Sequence, residues 1–218
     1  MGFLSKHLAI SDIPGRIQSV LIAWVMSLII GVAPAFAEST TCKVVYPVGD
    51  LKPLDSKTPL KVGDQAPDFT LPSLDEDEIS LSRYLGKKNV VLSFVPAAWT
   101  PVCTAQWPVY DIAEDIFNDN DAVLLGITVD NIPTLYAWTK ELAGKKEKLW
   151  FPVLSDFFPH GQVAQKYGIL RSTGVSERAL FVIDKDGIIQ YMDIHDINER
   201  PPLMELKKAL EALNSVHP

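Results

Sequence analysis

Only two cysteines, Cys42 and Cys103, occur in 218 residues. At most one internal disulfide can form, and in an oxidising compartment a single structural bridge is the plainest use of such a pair. Histidine is scarce as well, with four copies. His195 beside Asp196 is the nearest approach to a metal pair, and no cluster of four ligands with usable spacing surrounds it. No metal is therefore expected. Basic side chains are outnumbered, 20 Lys and Arg against 27 Asp and Glu, which argues against nucleic acid and anionic membranes as main partners. Internal repeats and low-complexity segments are missing. So are long apolar runs, with one exception near the N-terminus that is shorter than the roughly 20 residues of a membrane span.

That exception is Val20 to Ala33, 14 residues without a charge. Lys6 and Arg16 precede it and Ala35-Phe36-Ala37 follows, with small residues at the two positions a signal peptidase inspects. Basic, apolar and small-x-small segments in that order read as a secretory signal peptide, residues 1–37, cut after Ala37. The destination such a signal implies is a bacterial periplasm or outer surface. Left uncut, the same run is a membrane anchor. Cys42 does not make a lipidation site, because Ser39-Thr40-Thr41 stands where an aliphatic and a small residue are needed. The mature chain has 181 residues, 18 basic and 26 acidic side chains, and a formal charge of −8. That length suits one domain with a full core.

Residues 38–60 carry Pro47, Pro53 and Pro59 without sustained periodicity and are expected to form a flexible N-terminal segment. The globular pattern runs over 61–218. Phe69–Leu71 is a short strand and Leu81–Leu85 a helical turn. Val90–Val95 (VVLSFV) and Ala122–Val129 (AVLLGITV) are near-continuous apolar runs, the pattern of strands buried on both faces. Val102–Phe117, Ile132–Leu142 and His160–Tyr167 read as helices, and Phe151–Leu154 as a short strand. Ala179–Ile183 and Ile188–Met192 flank Asp184-Lys185-Asp186-Gly187, a hairpin signal. Pro202–Leu213 is an amphipathic helix opened by proline. A parallel crossover unit followed by an antiparallel hairpin gives an α/β fold, a mixed central sheet flanked by helices in the thioredoxin-like arrangement.

The chemistry is expected where the first buried strand hands over to the long helix, in Pro96-Ala97-Ala98-Trp99-Thr100-Pro101-Val102-Cys103-Thr104-Ala105-Gln106. Cys103 falls in the first turn, near unpaired backbone N–H groups and the positive end of the helix dipole, which favour thiolate over thiol. Thr100 lies three residues earlier, within reach of the sulfur or of an incoming oxygen. Pro101 stiffens the loop. A thiolate among fixed donors suits displacement at an electrophile, and for a peroxide the same donors receive the charge growing on oxygen. Burial as an ordinary packing cysteine is the competing account of Cys103.

The stretch PAAWTPVCTAQ resembles the peroxiredoxin active-site motif, Pro96-x-x-x-Thr100-x-x-Cys103. Further stretches are similar to the same family in the same order: Lys61 to Phe69, Leu125 to Asp130, Phe151 to Asp156 and Gly174 to Asp184. The likeness, to the alkyl hydroperoxide reductase and thiol-specific antioxidant type, covers about residues 61–214. It implies a thiol-dependent peroxidase for hydrogen peroxide and organic hydroperoxides, working without a cofactor. In it Cys103 is the peroxidatic cysteine, Thr100 hydrogen-bonds the peroxide, Pro96 shields the sulfur and Arg178 completes the site from a distant part of the chain. Gln106, one helical turn after Cys103, is a weaker assistant. On its own, Arg178 reads as a surface ion-pair residue beside Glu177. The resemblance also implies subunits paired as a homodimer.

The sulfenic acid left by peroxide must be reduced by a thiol. No cysteine follows Cys103, and Pro108 stands five residues on. This points to an external reductant, a thioredoxin-like protein or a small thiol, in a one-cysteine cycle. Cys42, five residues into the mature chain, is the alternative resolving thiol. Two rivals remain: an exported thiol-disulfide oxidoreductase, for which Thr100 occupies the first cysteine's place in Trp-Cys-x-x-Cys, and a non-enzymatic redox sensor on the same fold. Trp99 and Trp107 are expected to pack, His160 to cap or turn, and Asp75 to Glu78 to form a solvated loop.

Overall fold

The computed structural model describes residues 49–75 and 78–216. The expected signal peptide, the segment 38–48 and Cys42 lie outside the described residues. Among the described residues no helix is long and apolar enough to cross a membrane.

Five strands form the central sheet: β3 (Asn89–Phe94), β4 (Ala122–Thr128), β5 (Val153–Ser155), β6 (Arg178–Ile183) and β7 (Ile189–His195). Their order is β5-β4-β3-β6-β7, with β3, β4 and β5 parallel and β6 antiparallel to both β3 and β7. Two short strands, β1 (Thr70–Pro72) and β2 (Glu78–Ser80), pair separately. Glu78 thus opens a strand rather than closing a solvated loop. The helices are α1 (Pro101–Ile112), α2 (Glu114–Asn118), α3 (Ile132–Ala143), α4 (Gln162–Lys166) and α5 (Leu203–Val216).

Period-two alternation sorts each central strand between two cores. Val91, Leu124, Val153, Leu180 and Val182 face α1, α3 and α5, where they meet Cys103, Trp107, Trp138 and Leu206. Val90, Leu92, Phe94, Ile127 and Phe181 face the opposite way, toward α4 and the β1–β2 pair. The hairpin is closed by Asp184, whose Oδ1 accepts from the N–H groups of Asp186 and Ile188 at 3.0 and 2.9 Å, while Gly187 takes φ 84°.

The single helix expected over Val102–Phe117 is two helices. The backbone leaves helical geometry at Ala113 (φ −92°, ψ 25°). Chain direction changes there, so that Ile112 is 83% exposed and Phe117 is buried against Tyr110 and Trp150.

Residues 51–60, expected within a flexible segment, make hydrogen bonds to groups far along the chain. Glu177 accepts from the N–H groups of Asp55 and Ser56, both at 2.7 Å. Thr58 donates to the Tyr167 carbonyl at 2.7 Å. The Asp55 carboxylate accepts from the Ser172 N–H and hydroxyl. Lys52, with Ser172, holds that carboxyl well below the usual carboxylate range. Prolines keep this stretch out of a ladder, but side chains more than 100 residues away satisfy its backbone.

Packing seats α1 on the sheet at one pair of residues. Ser93 of β3 and Gly126 of β4 are register partners, and Trp107 of α1 lies over both. A Cβ on Gly126 would stand 2.8 Å from Trp107 Cζ2 and 3.2 Å from Phe151 Cε2. Gly126→Ala is therefore expected to lower stability by about 1–3 kcal/mol through overpacking, read as a lower urea midpoint at unchanged slope.

Candidate active site

Pro101, Val102 and Cys103 are the first three residues of α1, and Thr100 is its N-cap. The first intrahelical bond runs from the Thr104 N–H to the Thr100 carbonyl at 2.9 Å. Ahead of it the N–H groups of Val102 and Cys103 have no partner within the helix, and the dipole's positive end lies beside the sulfur. Cys103 is a free thiol with no solvent exposure.

Arg178 reaches this sulfur from β6. It shares strand parity with Leu180 and Val182, so its side chain enters the same core as Cys103. Its Nη2 lies 3.5 Å from Cys103 Sγ and donates to the Ile197 carbonyl at 3.0 Å. Its Nη1 donates to Gln106 Oε1 at 2.6 Å. Nε is buried without a partner, a donor left over in the site. The guanidinium is entirely buried, and none of the ion pairs among the described residues includes it. Arg178 is thus no surface ion-pair residue, and Glu177 is not its partner. Glu177 pairs with Arg171, because neighbouring residues of an extended chain project in opposite directions.

Gln106 is held in turn. Its amide donates to Ser93 Oγ at 3.4 Å and to Tyr110 Oη at 3.2 Å, which leaves Oε1 facing the guanidinium. Burial pushes the Tyr110 phenol far above its ordinary range, keeping it a neutral hydroxyl. Ser93 also accepts from the Trp107 indole at 3.2 Å, and Trp138 donates to Thr104 Oγ1 at 3.2 Å, tying α3 to α1.

Thr100 is buried, and its hydroxyl donates to the Ala97 carbonyl at 2.9 Å. Its proton is committed, so its lone pairs are what it can offer an incoming group. Pro96 is buried at the end of β3. The loop between Pro96 and Thr100 is pinned by Asp130, which accepts from the Ala98 N–H at 2.8 Å and from the Thr128 hydroxyl. Trp107 packs as expected, fully buried, whereas Trp99 does not. It adopts φ 65° in this loop and is 51% exposed. His160 Nε2 donates to the Gly174 carbonyl at 2.7 Å, after the cis peptide Phe158–Pro159.

Two cavities of about 350 Å³ flank Arg200, which donates to the Ala105 carbonyl at 3.0 Å. One opens over Pro101, Val102 and Ala105 of α1. The other is lined by Gln106 and Tyr110. A larger cavity of about 490 Å³, beside Tyr136 and Lys140, is lined by none of the residues around Cys103. Among the described residues no group of three or more His, Cys, Asp and Glu could hold a metal ion.

Comparison with known proteins is consistent with this geometry. The AhpC/TSA family matches residues 62–192. The chain belongs to that family. Alkyl hydroperoxide reductase E of Mycobacterium tuberculosis is 36% identical over 141 residues, 64% of this chain and 89% of the relative. A chloroplastic 2-cysteine peroxiredoxin of Chattonella marina is 33% identical over 159 residues, 71% of this chain and 80% of the relative. The reduced 2-Cys peroxiredoxin of Plasmodium vivax superposes with a TM-score of 0.65 at 29% identity, covering 72% of this chain and 83% of that one. Mycobacterium tuberculosis AhpC gives 0.64 at 26% identity, covering 72% and 95%. As a peroxiredoxin on the thioredoxin-like fold, the protein is a thiol-dependent peroxidase that reduces hydroperoxides at the expense of a thiol reductant.

Cys103, Thr100, Pro96, Gln106 and Arg178 were named from sequence, and the fold places all of them at or beside the start of α1. Ser93, Asp130 and the Ile197 carbonyl were not. Ser93 was visible only as the one polar residue inside an apolar strand. Its removal tests the support beneath the site: Ser93→Ala leaves the Trp107 indole N–H and one Gln106 donor without an acceptor in a dry core. The expected cost is about 1–3 kcal/mol, measured by urea unfolding.

Proposed function

We propose that Cys103 is the peroxidatic cysteine of this peroxiredoxin, with Arg178 as the cation beside it. The observation that carries this assignment is the 3.5 Å contact between a buried guanidinium and the sulfur at the third residue of α1. A permanent cation and free backbone N–H groups face the attacking sulfur and the oxygen it meets. The thiolate attacks one oxygen of the hydroperoxide; the S–O bond forms as the O–O bond breaks. Sulfur takes the O–H oxygen and is oxidised to the sulfenic acid, the peroxide is reduced, and the leaving alkoxide or hydroxide takes from solvent a proton equivalent to the one the thiol gave up, becoming alcohol or water. Arg178 Nε, without a partner, is a donor for the charge developing on oxygen. Thr100 orients the peroxide by accepting a hydrogen bond from its O–H, since its own hydroxyl proton is donated to the Ala97 carbonyl. Pro96 closes the pocket wall, and Gln106 holds Arg178 in place.

A reducing thiol then condenses with the sulfenic acid, forming a disulfide and water, and a second thiol releases Cys103. The buried sulfur gives a bulky thiol no surface to attack, so this half-reaction requires the covering groups to move. The absence of a cysteine after Cys103 supports an external reductant, a thioredoxin-like protein or a small thiol. Cys42 stays the internal alternative. It lies nine residues before Leu51, a span of up to roughly 30 Å when extended.

Export to a periplasm or outer surface, with cleavage after Ala37, is supported by the basic, apolar and small-x-small order of residues 1–37. A homodimer is supported by large apolar side chains at the surface, among them Trp99, Phe157 and Phe158, which an assembled form would cover.

Stopped-flow tryptophan fluorescence of the reduced protein with hydrogen peroxide tests the assignment. Cys103→Ser is expected to abolish the fast second-order change, and Arg178→Met to slow it by about 10²–10³-fold, the usual cost of one lost charge-stabilising donor. A fast phase that survives Cys103→Ser would sink the assignment. Mass analysis afterwards separates the reductants: a disulfide lost in Cys42→Ser supports internal resolution, and sulfenic acid alone supports an external thiol.

A further inference from the structure

The groups holding Arg178 are themselves held, and the trail leads to the N-terminal segment 51–56. One of the two oxygen acceptors of the guanidinium is the Ile197 carbonyl, in the loop between β7 and α5. The N–H of the same residue donates to the Pro53 carbonyl at 3.2 Å. Its neighbour Asn198 brackets Leu51, accepting from the Leu51 N–H at 3.1 Å and donating to the Leu51 carbonyl at 2.8 Å. Three hydrogen bonds thus join residues 51–53 to 197–198. Asn198 and Arg200 also line the cavity over Pro101 and Val102, so the same loop borders the first turn of α1.

The segment has no ladder of its own and is anchored by one buried ion pair. Arg171 and Glu177 are side-chain exposed by 6% and 0%. Glu177 takes the Asp55 and Ser56 N–H groups, and Arg171 donates to the Lys52 and Pro53 carbonyls at 2.6 and 3.4 Å. Pro53 therefore receives both Arg171 and Ile197. A buried ion pair stabilises little by itself but is costly to leave half satisfied, so it fixes where this strand of backbone can lie.

We infer that residues 51–56 are a positioning strap for the peroxidase reaction: docked on the Arg171–Glu177 pair, they hold Ile197 where its carbonyl aims Arg178 at Cys103. With the strap loosened, the Ile197 carbonyl loses its tether, Arg178 keeps only Gln106 as a fixed oxygen acceptor, and its free donor no longer meets the departing oxygen. The inference rests on the assignment of Cys103 and Arg178 made above.

The test uses the full chain and two reagents. Hydrogen peroxide needs the placed donors for its leaving oxygen; iodoacetamide, losing iodide, reports the thiolate and its accessibility without them. Asn198→Ala is expected to lower the ratio of the two second-order rate constants at least tenfold, with circular dichroism unchanged. Should that variant fail to fold, Asp55→Ala, which frees the far end of the strap from Ser172, is expected to move the ratio in the same direction. A folded variant whose ratio stays within twofold of the parent overturns the strap's positioning role, whatever its melting temperature. Cys103→Ser run alongside separates the two ideas. A peroxide reaction that persists there defeats the active-site assignment, whereas its loss with an unchanged Asn198→Ala ratio defeats the strap alone.

Discussion

A guanidinium cannot give up its proton to escape a dry interior, so a fully buried Arg178 obliges the chain to build acceptors around it. With no carboxylate paired to it among the described residues, three neutral or ionisable partners share that duty: Gln106 Oε1, the Ile197 carbonyl and the sulfur of Cys103. Two of them, Cys103 and Gln106, stand one turn apart on α1, and the third lies in the loop after the edge strand β7. The need to satisfy one cation draws them together.

The surrounding structure is arranged to keep those partners in register. Ser93 and Gly126, paired across β3 and β4, form the floor on which α1 rests. Gly126 makes room for the Trp107 ring, and Ser93 gives its indole and the Gln106 amide a shared acceptor. Strand alternation does the rest: the parity that points Leu180 and Val182 at α1 points Arg178 there too. One residue earlier the same alternation sends Glu177 away from the sulfur, to Arg171 and the backbone of residues 55 and 56. Two adjacent charged residues thus serve two separate sites.

Much of this was legible beforehand. Near-continuous apolar runs marked β3, β4 and β6, the Asp-Lys-Asp-Gly turn marked the hairpin, and Cys103 stood visibly in the first turn of a helix. The break at Ala113 was not legible, since the apolar spacing continues through it and only packing of Phe117 shows the change of direction. Nor was Trp99 readable as exposed: a large aromatic ordinarily signals core, and here the left-handed φ of 65° turns the loop instead.

Sequence by itself determined the order of strands and helices along the chain, the two-faced burial of the central strands and the place of Cys103 in the first turn of a helix. These are properties of neighbouring residues, carried by period, composition and local turn chemistry. Tertiary structure alone decided which groups hold Arg178 at the sulfur, that Glu177 belongs to Arg171, and that residues 51–60 are docked. The physical reason is that those partners are largely backbone carbonyls and N–H groups, which every residue carries alike. Only the register of distant strands and loops selects Ile197 and Pro53 from among them.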